Sequence, residues 1–257
     1  MTTPTITVEQ LKNLGFDDTP KLPPRRLVAH ICGKEGTGKT HCALTAPDPV
    51  VYYNVDIGTE GVVEKFQQGT ATVSGVPVPR KQVLVHTVRV PKSNDMQQAY
   101  VDLWEDFKGK WEAAYGLGRG TVVLDTATEA WELARLARLG KLTQVMPHNY
   151  VEVNKEWREM LRLAYDSSMN TVLINKLKPV WVNNQRTDRY EAAGFSDTGY
   201  TVQITMEMVR QDTEAGPQFS AFVTKCRQRP ELMGRHLVGP NCSFEFLLNQ
   251  IHGVAPA

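Results

Sequence analysis

Cysteine is scarce in this 257-residue sequence, and the four present, Cys32, Cys42, Cys226 and Cys242, show no C-x-x-C spacing. That excludes a cysteine-based zinc site and a disulfide framework in a chain of this length. They read as reduced thiols. Charge of one sign is lacking too: 29 Lys and Arg face 28 Asp and Glu, a formal net charge of +1. No global field therefore draws the chain to nucleic acid, membranes or acidic partners, and any basic surface must be local. Also missing are a basic start followed by an apolar run and any stretch near the roughly 20 apolar residues that span a bilayer. The expectation is a soluble cytoplasmic protein with no membrane contact. Internal repeats are absent as well, which speaks against a solenoid.

What is there is a regular alternation of elements. Residues 1–25 read as an appendage and linker: "TVEQLKNLGF" offers a short helix starting with Thr7-x-x-Gln10, and "DDTPKLPPRR" is stiff with proline. A folded domain is expected over 26–257. In it, apolar and β-branched runs recur at 26–32, 50–54, 83–90, 121–125 and 171–175. Several are continuous rather than alternating, as strands covered on both faces must be. Helical patterns lie at 93–116, 127–140 and 151–168, and in the first Tyr100, Leu103, Trp104, Phe107 and Trp111 form a core-facing stripe. This order predicts an α/β fold with a mainly parallel central sheet flanked by helices. Segments 200–211 and 218–228 flank the turn-forming "DTEAGP", which predicts a C-terminal antiparallel hairpin extending the sheet.

The most specific motif is "GKEGTGKT", Gly33 to Thr40, a full match to G-x-x-x-x-G-K-[ST] with an extra Gly36. Glycines let successive main-chain N–H groups turn inward around phosphate oxygens, while Lys39 reaches the β and γ phosphates and Thr40 ligates Mg²⁺. The expected nucleotide contacts are Gly33, Lys34, Glu35, Gly36, Thr37, Gly38, Lys39, Thr40 and His41, with ATP and Mg²⁺ as cofactors. The helix that follows runs into Pro47 and Pro49, which limits it to about two turns.

A phosphate loop needs a carboxylate at the end of a buried strand to hold the metal, and "TVVLD" offers Asp125. Asp125 or Thr126 also suits the start of the helix at 127. Thr126, not glutamate, follows Asp125, a departure from the Asp-Glu pair of AAA-type and transporter-type ATPases. The water-orienting carboxylate is then sought after the strand that follows the loop helix. There Asp56 is preferred over Glu60, and both also read as solvated loop acids. Asn175 ends "TVLIN", where a neutral amide can sense the γ-phosphate or simply start a turn.

Phosphate loop, acidic strand tip, Asp-terminated strand without a following Glu, polar strand tip, long loop and a hairpin ending "VTKCRQRP" together resemble the RecA-like recombinase core. More specifically they look like phage-encoded RecA-like ATPases associated with single-strand annealing, over roughly Arg26 to Leu237. If phage-encoded, the chain would work in the host cytoplasm. The resemblance implies two loops that bind single-stranded DNA, at 140–150 and 176–200. The second is expected to be a long structureless loop whose Lys176, Lys178, Arg186 and Arg189 supply charge and whose Trp181, Tyr190 and Phe195 supply stacking faces. A surface lid or an inserted hairpin is the alternative for the same stretch. The resemblance further implies that Lys225 and Arg227 reach the nucleotide of an adjacent subunit in a ring or filament, unless they are a solvated strand face. The chain departs from the family in showing no extra DNA-binding domain, no subunit-linking motif near the N-terminus and Asp where Glu is usual.

The resulting expectation is a DNA-stimulated ATPase that binds single-stranded DNA and promotes annealing or strand exchange, with a single-stranded-DNA-binding protein as a possible further partner. Two rivals remain open: a small-molecule kinase using 176–200 as a substrate lid, and a non-catalytic nucleotide-dependent loader or adaptor of replication proteins.

Overall fold

Runs that are apolar at every residue need cover on both faces, and a computed structural model, which describes residues 6–19, 24–90, 92–141, 146–214 and 216–253, supplies it. In chain order the elements begin with α1 (Val8–Asn13), β1 (Val28–Gly33), α2 (Lys39–Leu44), β2 (Val50–Asn54), α3 (Val63–Gln68), β3 (Thr72–Val73) and β4 (Val76–Pro77). Next come β5 (Val83–Thr87), α4 (Met96–Tyr115), β6 (Thr121–Asp125), α5 (Ala127–Leu139), α6 (Tyr150–Asp166), β7 (Asn170–Val182) and β8 (Gln185–Ala192). The chain ends with α7 (Thr198–Thr201), β9 (Ile204–Thr213), β10 (Gly216–Cys226), β11 (His236–Val238) and α8 (Phe244–His252).

The strands form a mixed sheet ordered β11-β10-β9-β1-β7-β6-β2-β5, with β8 paired to β7. From β9 to β5 every pair in that path is parallel, whereas β9, β10 and β11 meet antiparallel, giving the expected C-terminal extension. Side chains alternate between two cores. Leu27, Ala29 and Ile31 of the β1 run face one core with Ala43 and Leu44 of α2, Phe66 of α3 and Phe244 of α8. Val28, Leu124 and Leu173 face the other, filled by Trp104, Phe107 and Trp111 of α4, Leu133 of α5 and Trp157 of α6. The expected stripe on α4 is present: those three rings are fully buried, while Tyr100 and Leu103 pack at its margin. Glu156 of α6 ties the three helices together, accepting from Trp104 Nε1 at 2.6 Å and pairing with Arg138 of α5 at 2.7 Å and Lys108 of α4 at 3.4 Å.

Local signals set the helix ends. Thr7 and Gln10 form the reciprocal capping box at α1, Asp95 caps α4 through Gln98 N, and Thr126 caps α5 through Glu129 N. Two expectations need correction. The strand expected to start at residue 200 starts at Ile204, because Thr198–Thr201 is one helical turn whose carbonyls are taken up by two basic side chains described below. The loop expected at 176–200 is largely a hairpin: β7 continues to Val182, and Asn183 and Asn184, both at positive φ (50° and 61°), turn it into β8.

Candidate functional site

β1 delivers Gly33 to the C-terminal margin of the sheet, where the loop crosses to α2. A Cβ on Gly33 would stand 2.6 Å from the Met208 carbonyl oxygen and 2.8 Å from Thr37 Oγ1, so only glycine lets β9 and the loop close up. Thr37 is buried and donates to the Lys34 carbonyl at 2.8 Å, which fixes the turn, while Lys34, Glu35 and Gly36 are exposed. Gly38 takes a left-handed conformation with no side-chain cap and opens α2, so the first N–H groups of that helix lack side-chain acceptors. Lys39 arches back over the loop, its Nζ donating to the carbonyls of Gly33 at 3.0 Å and Lys34 at 2.7 Å. Burial lowers its pKa, and the nearby Asp125 carboxylate opposes that shift. His41, the third residue of α2, packs edge-on against Phe66.

Asp125 ends β6, and the structure brings it to the loop. Its Oδ2 accepts from Thr40 Oγ1 at 2.6 Å and from Tyr52 Oη at 2.7 Å. Burial raises the Asp125 pKa, against the pull of those two hydroxyls and of Lys39. A buried carboxylate touching a threonine hydroxyl is the hard oxygen donor pair that Mg²⁺ takes, so the residues present fit that ion. Tyr52 escaped the sequence reading, because in "VVYYN" it looks like any core aromatic. Its even spacing with Asn54 on a strand beside Asp125 is the signal that points to it.

β7 lies between β1 and β6, so Asn175 stands directly beside the phosphate loop strand, paired in register with Cys32. Its Nδ2 donates to the Ala193 carbonyl at 2.7 Å, and its buried Oδ1 has no hydrogen-bond partner among the described residues. Asp56 follows the tip of β2, which is separated from β1 by β7 and β6. Even so it reaches the site: the N–H groups of Val55 and Asp56 donate to the Asp125 carbonyl at 2.7 and 3.3 Å. Glu60 is exposed on the loop beyond. A further carboxylate, Glu129 in the first turn of α5, was not singled out from the sequence. Lys176 bridges it at 2.7 Å to Asp56 at 3.1 Å. Burial pulls the Lys176 pKa down, but the two carboxylates outweigh it and raise it overall.

Lys176, expected to contact DNA, thus has its charge matched by two carboxylates of its own chain. The other candidates divide between the faces of the hairpin. Trp181 pairs across the ladder with Arg186, whose guanidinium reaches the Tyr190 hydroxyl at 3.0 Å, so the three share one face. Trp181 is 61% exposed. Lys34 of the phosphate loop places its ammonium 4.6 Å from the centroid of the Tyr190 ring, so hairpin and loop touch. Arg189 alternates to the opposite face, and Lys178 is paired with Glu191 at 3.3 Å. Phe195, expected to offer a stacking face, is buried against Trp131 because the chain after β8 folds back onto the core. In the other expected DNA loop, 142–145 lie outside the described residues, and Met146 is exposed.

Lys225 and Arg227, expected to reach the nucleotide of an adjacent subunit, are engaged within their own chain. β10 runs against β1, so Lys225 stands level with His30 near the start of β1, away from the phosphate loop. Its Nζ donates to the carbonyls of Gly199, Tyr200 and Val202, and Arg227 donates to that of Tyr200. Both basic groups therefore close the α7 turn of their own chain. Beneath that segment His30 is buried with neither ring nitrogen bonded, and burial pushes its pKa down to about 4.

A family model described as an AAA domain matches residues 25–221. The missing Glu after Asp125 thus does not set the chain apart from AAA-type proteins. No curated protein matches the sequence.

Proposed function

The chain belongs to the AAA domain family of P-loop NTPases, and on that premise we propose that it hydrolyses ATP, binds single-stranded DNA and promotes annealing or strand exchange in recombination, as RecA-like proteins do. The main-chain N–H groups from Gly36 to Thr40 hold the phosphates, and Lys39 leaves the Gly33 and Lys34 carbonyls to pair with the β and γ oxygens. Thr40 and Asp125 would hold Mg²⁺, which would supply positive charge beside the phosphates. Asp56, with Glu129 beside it, orients the attacking water, and Lys176 positions both carboxylates. Asn175 turns its unpartnered Oδ1 to that water.

The observation that carries the DNA reading is the contact between Lys34 and Tyr190, which joins the phosphate loop to a projecting hairpin with an exposed aromatic and basic face. Trp181 and Tyr190 supply planes on which bases stack, and Arg186 supplies charge. β7 carries both Asn175 and Trp181, with a shift in its pairing to β8 between Pro179 and Trp181, so DNA on the hairpin and the state of the phosphates bias one shared strand. A homo-oligomer, ring or filament, and a single-stranded-DNA-binding protein are the partners this reading implies. Fluorescence anisotropy with a labelled single-stranded oligonucleotide tests it. Trp181→Ala and Arg186→Ala should each weaken binding at least about fivefold, with ATP affinity kept, and added salt should weaken the wild type. DNA affinity unaltered in both variants would remove the hairpin from this account and leave a lid over a small acceptor as the better reading.

A further inference from the structure

His30 is a buried ionisable side chain that the nucleotide site does not use. It lies on β1, the strand that leads into the phosphate loop, and its register partners are Leu173 on β7 and Thr205 on β9. Residues in register on parallel strands point to the same face, and so do residues two apart on one strand. His30, Thr205 and Asn175 therefore share one face of the sheet, with the ring between the other two. Among the described residues these three side chains leave four buried polar atoms without hydrogen-bond partners: both His30 ring nitrogens, Asn175 Oδ1 and Thr205 Oγ1. Buried polar groups are costly when left unpaired, and these form a matched set. A neutral imidazole has one donor and one acceptor, a hydroxyl can donate, and an amide oxygen accepts twice.

We propose that His30 is a positioning residue for Asn175: the Thr205 hydroxyl donates to one ring nitrogen, and the N–H of the other donates to Asn175 Oδ1, whose second lone pair stays open to the attacking water. The proposal rests on the reading of Asn175 as the residue beside that water and adds what holds its amide still. Both bonds form by rotation of side chains, with the strands in place. The next side chain along β1 on this face is the small Cys32, whose thiol turns to the Met206 carbonyl at 3.6 Å and leaves the way open. Asn175 stands diagonally ahead on β7, at about 7–8 Å between backbones, a span that a ring covers. The orientation of its amide is already set. Nδ2 donates to the Ala193 carbonyl at 2.7 Å, and a Cβ on Gly194 would stand 3.2 Å from Nδ2, so the stretch after β8 closes that side and Oδ1 is the atom left to face elsewhere. Burial holds the imidazole neutral; the Asn175 side chain opposes that shift, as an acceptor oxygen beside a ring N–H does, and Lys225 adds to it.

ATP turnover of the full chain, read together with the imidazole nitrogen resonances by NMR near neutral pH, tests this. Wild-type His30, identified by the signals lost in His30→Gln, should be a neutral ring held in one tautomer, and Thr205→Val should release that preference. His30→Leu should lower kcat about tenfold and change KM for ATP less than about twofold, since the amide loses its alignment while the phosphates keep theirs. His30→Gln, which retains a donor and an acceptor, should keep at least about half of the wild-type kcat. A wild-type ring exchanging between both tautomers would overturn the relay whatever the variants do, so a fold defect in His30→Leu does not shelter it. Wild-type turnover in His30→Leu, or an equal loss in His30→Leu and His30→Gln, would reduce His30 to a packing residue. Asn175→Ala turning over as fast as wild type, or a wild type that binds ATP without hydrolysing it, would overturn the reading of Asn175 beside the water and this proposal with it.

Discussion

Asp125 shows how a single buried carboxylate is kept ready for a cation. Burial favours its protonated form, and two hydroxyl donors, from Thr40 and Tyr52, oppose that. Tyr52→Phe removes one donor while keeping the ring in the core. That hydrogen bond favours the ionised carboxylate, so the Asp125 pKa should rise further in the variant. Because the metal needs the ionised carboxylate, the acid limb of the pH profile of ATP hydrolysis should move to higher pH. An unmoved acid limb would show that Tyr52 is only a core aromatic. At this scale the motif residues were legible in the sequence because their spacing is local. Tyr52 and Glu129 were not, since each becomes a site neighbour only when β2 and α5 are set against β6.

Elements explain where sequence reasoning lost its way. The stretch from 176 to 192 mixes charges without a helical period and looks structureless, yet Val180, Trp181 and Val182 precede an Asn-Asn pair that takes the two left-handed turn positions of a tight hairpin. Asparagine tolerates that conformation, and the pair was the available clue. The α7 turn is set differently, by Lys225 near the end of β10 and Arg227 just past it, more than 20 residues away, which no local pattern encodes. Lys225→Met should therefore destabilise the fold by about 1–3 kcal/mol in urea denaturation, for loss of charged donors to three carbonyls. Turnover per folded molecule should hold. A collapse in turnover with stability intact would instead restore the reading in which Lys225 serves the nucleotide of a neighbouring subunit.

Across the whole molecule, the sandwich was legible because strands buried on both faces must be apolar throughout, as "TVVLD" and "TVLIN" are. The strand order was not, since inserting β7 between β1 and β6 joins residues about 140 positions apart in sequence, and β11 and α8 are too short or too dependent on their neighbours to announce themselves. Global stability carries its own signature at His30. Its pKa is about 4 in the fold, below the ordinary 6.5, so the unfolded chain takes up the proton first. The stabilisation is fully present above pH 6.5 and is lost as pH falls towards 4. Between pH 7.5 and 5 this amounts to about 2 kcal/mol. The urea midpoint should drop over that interval, and His30→Gln should shrink the drop; an equal drop in the variant would assign the pH dependence to other groups. The central claim, that phosphate loop and hairpin work as one device, is tested most directly by the rate of ATP hydrolysis with and without single-stranded DNA, in wild type and Lys39→Ala. Stimulation by DNA in the wild type and loss of turnover in the variant is the predicted result, and a wild-type rate indifferent to DNA would contradict it.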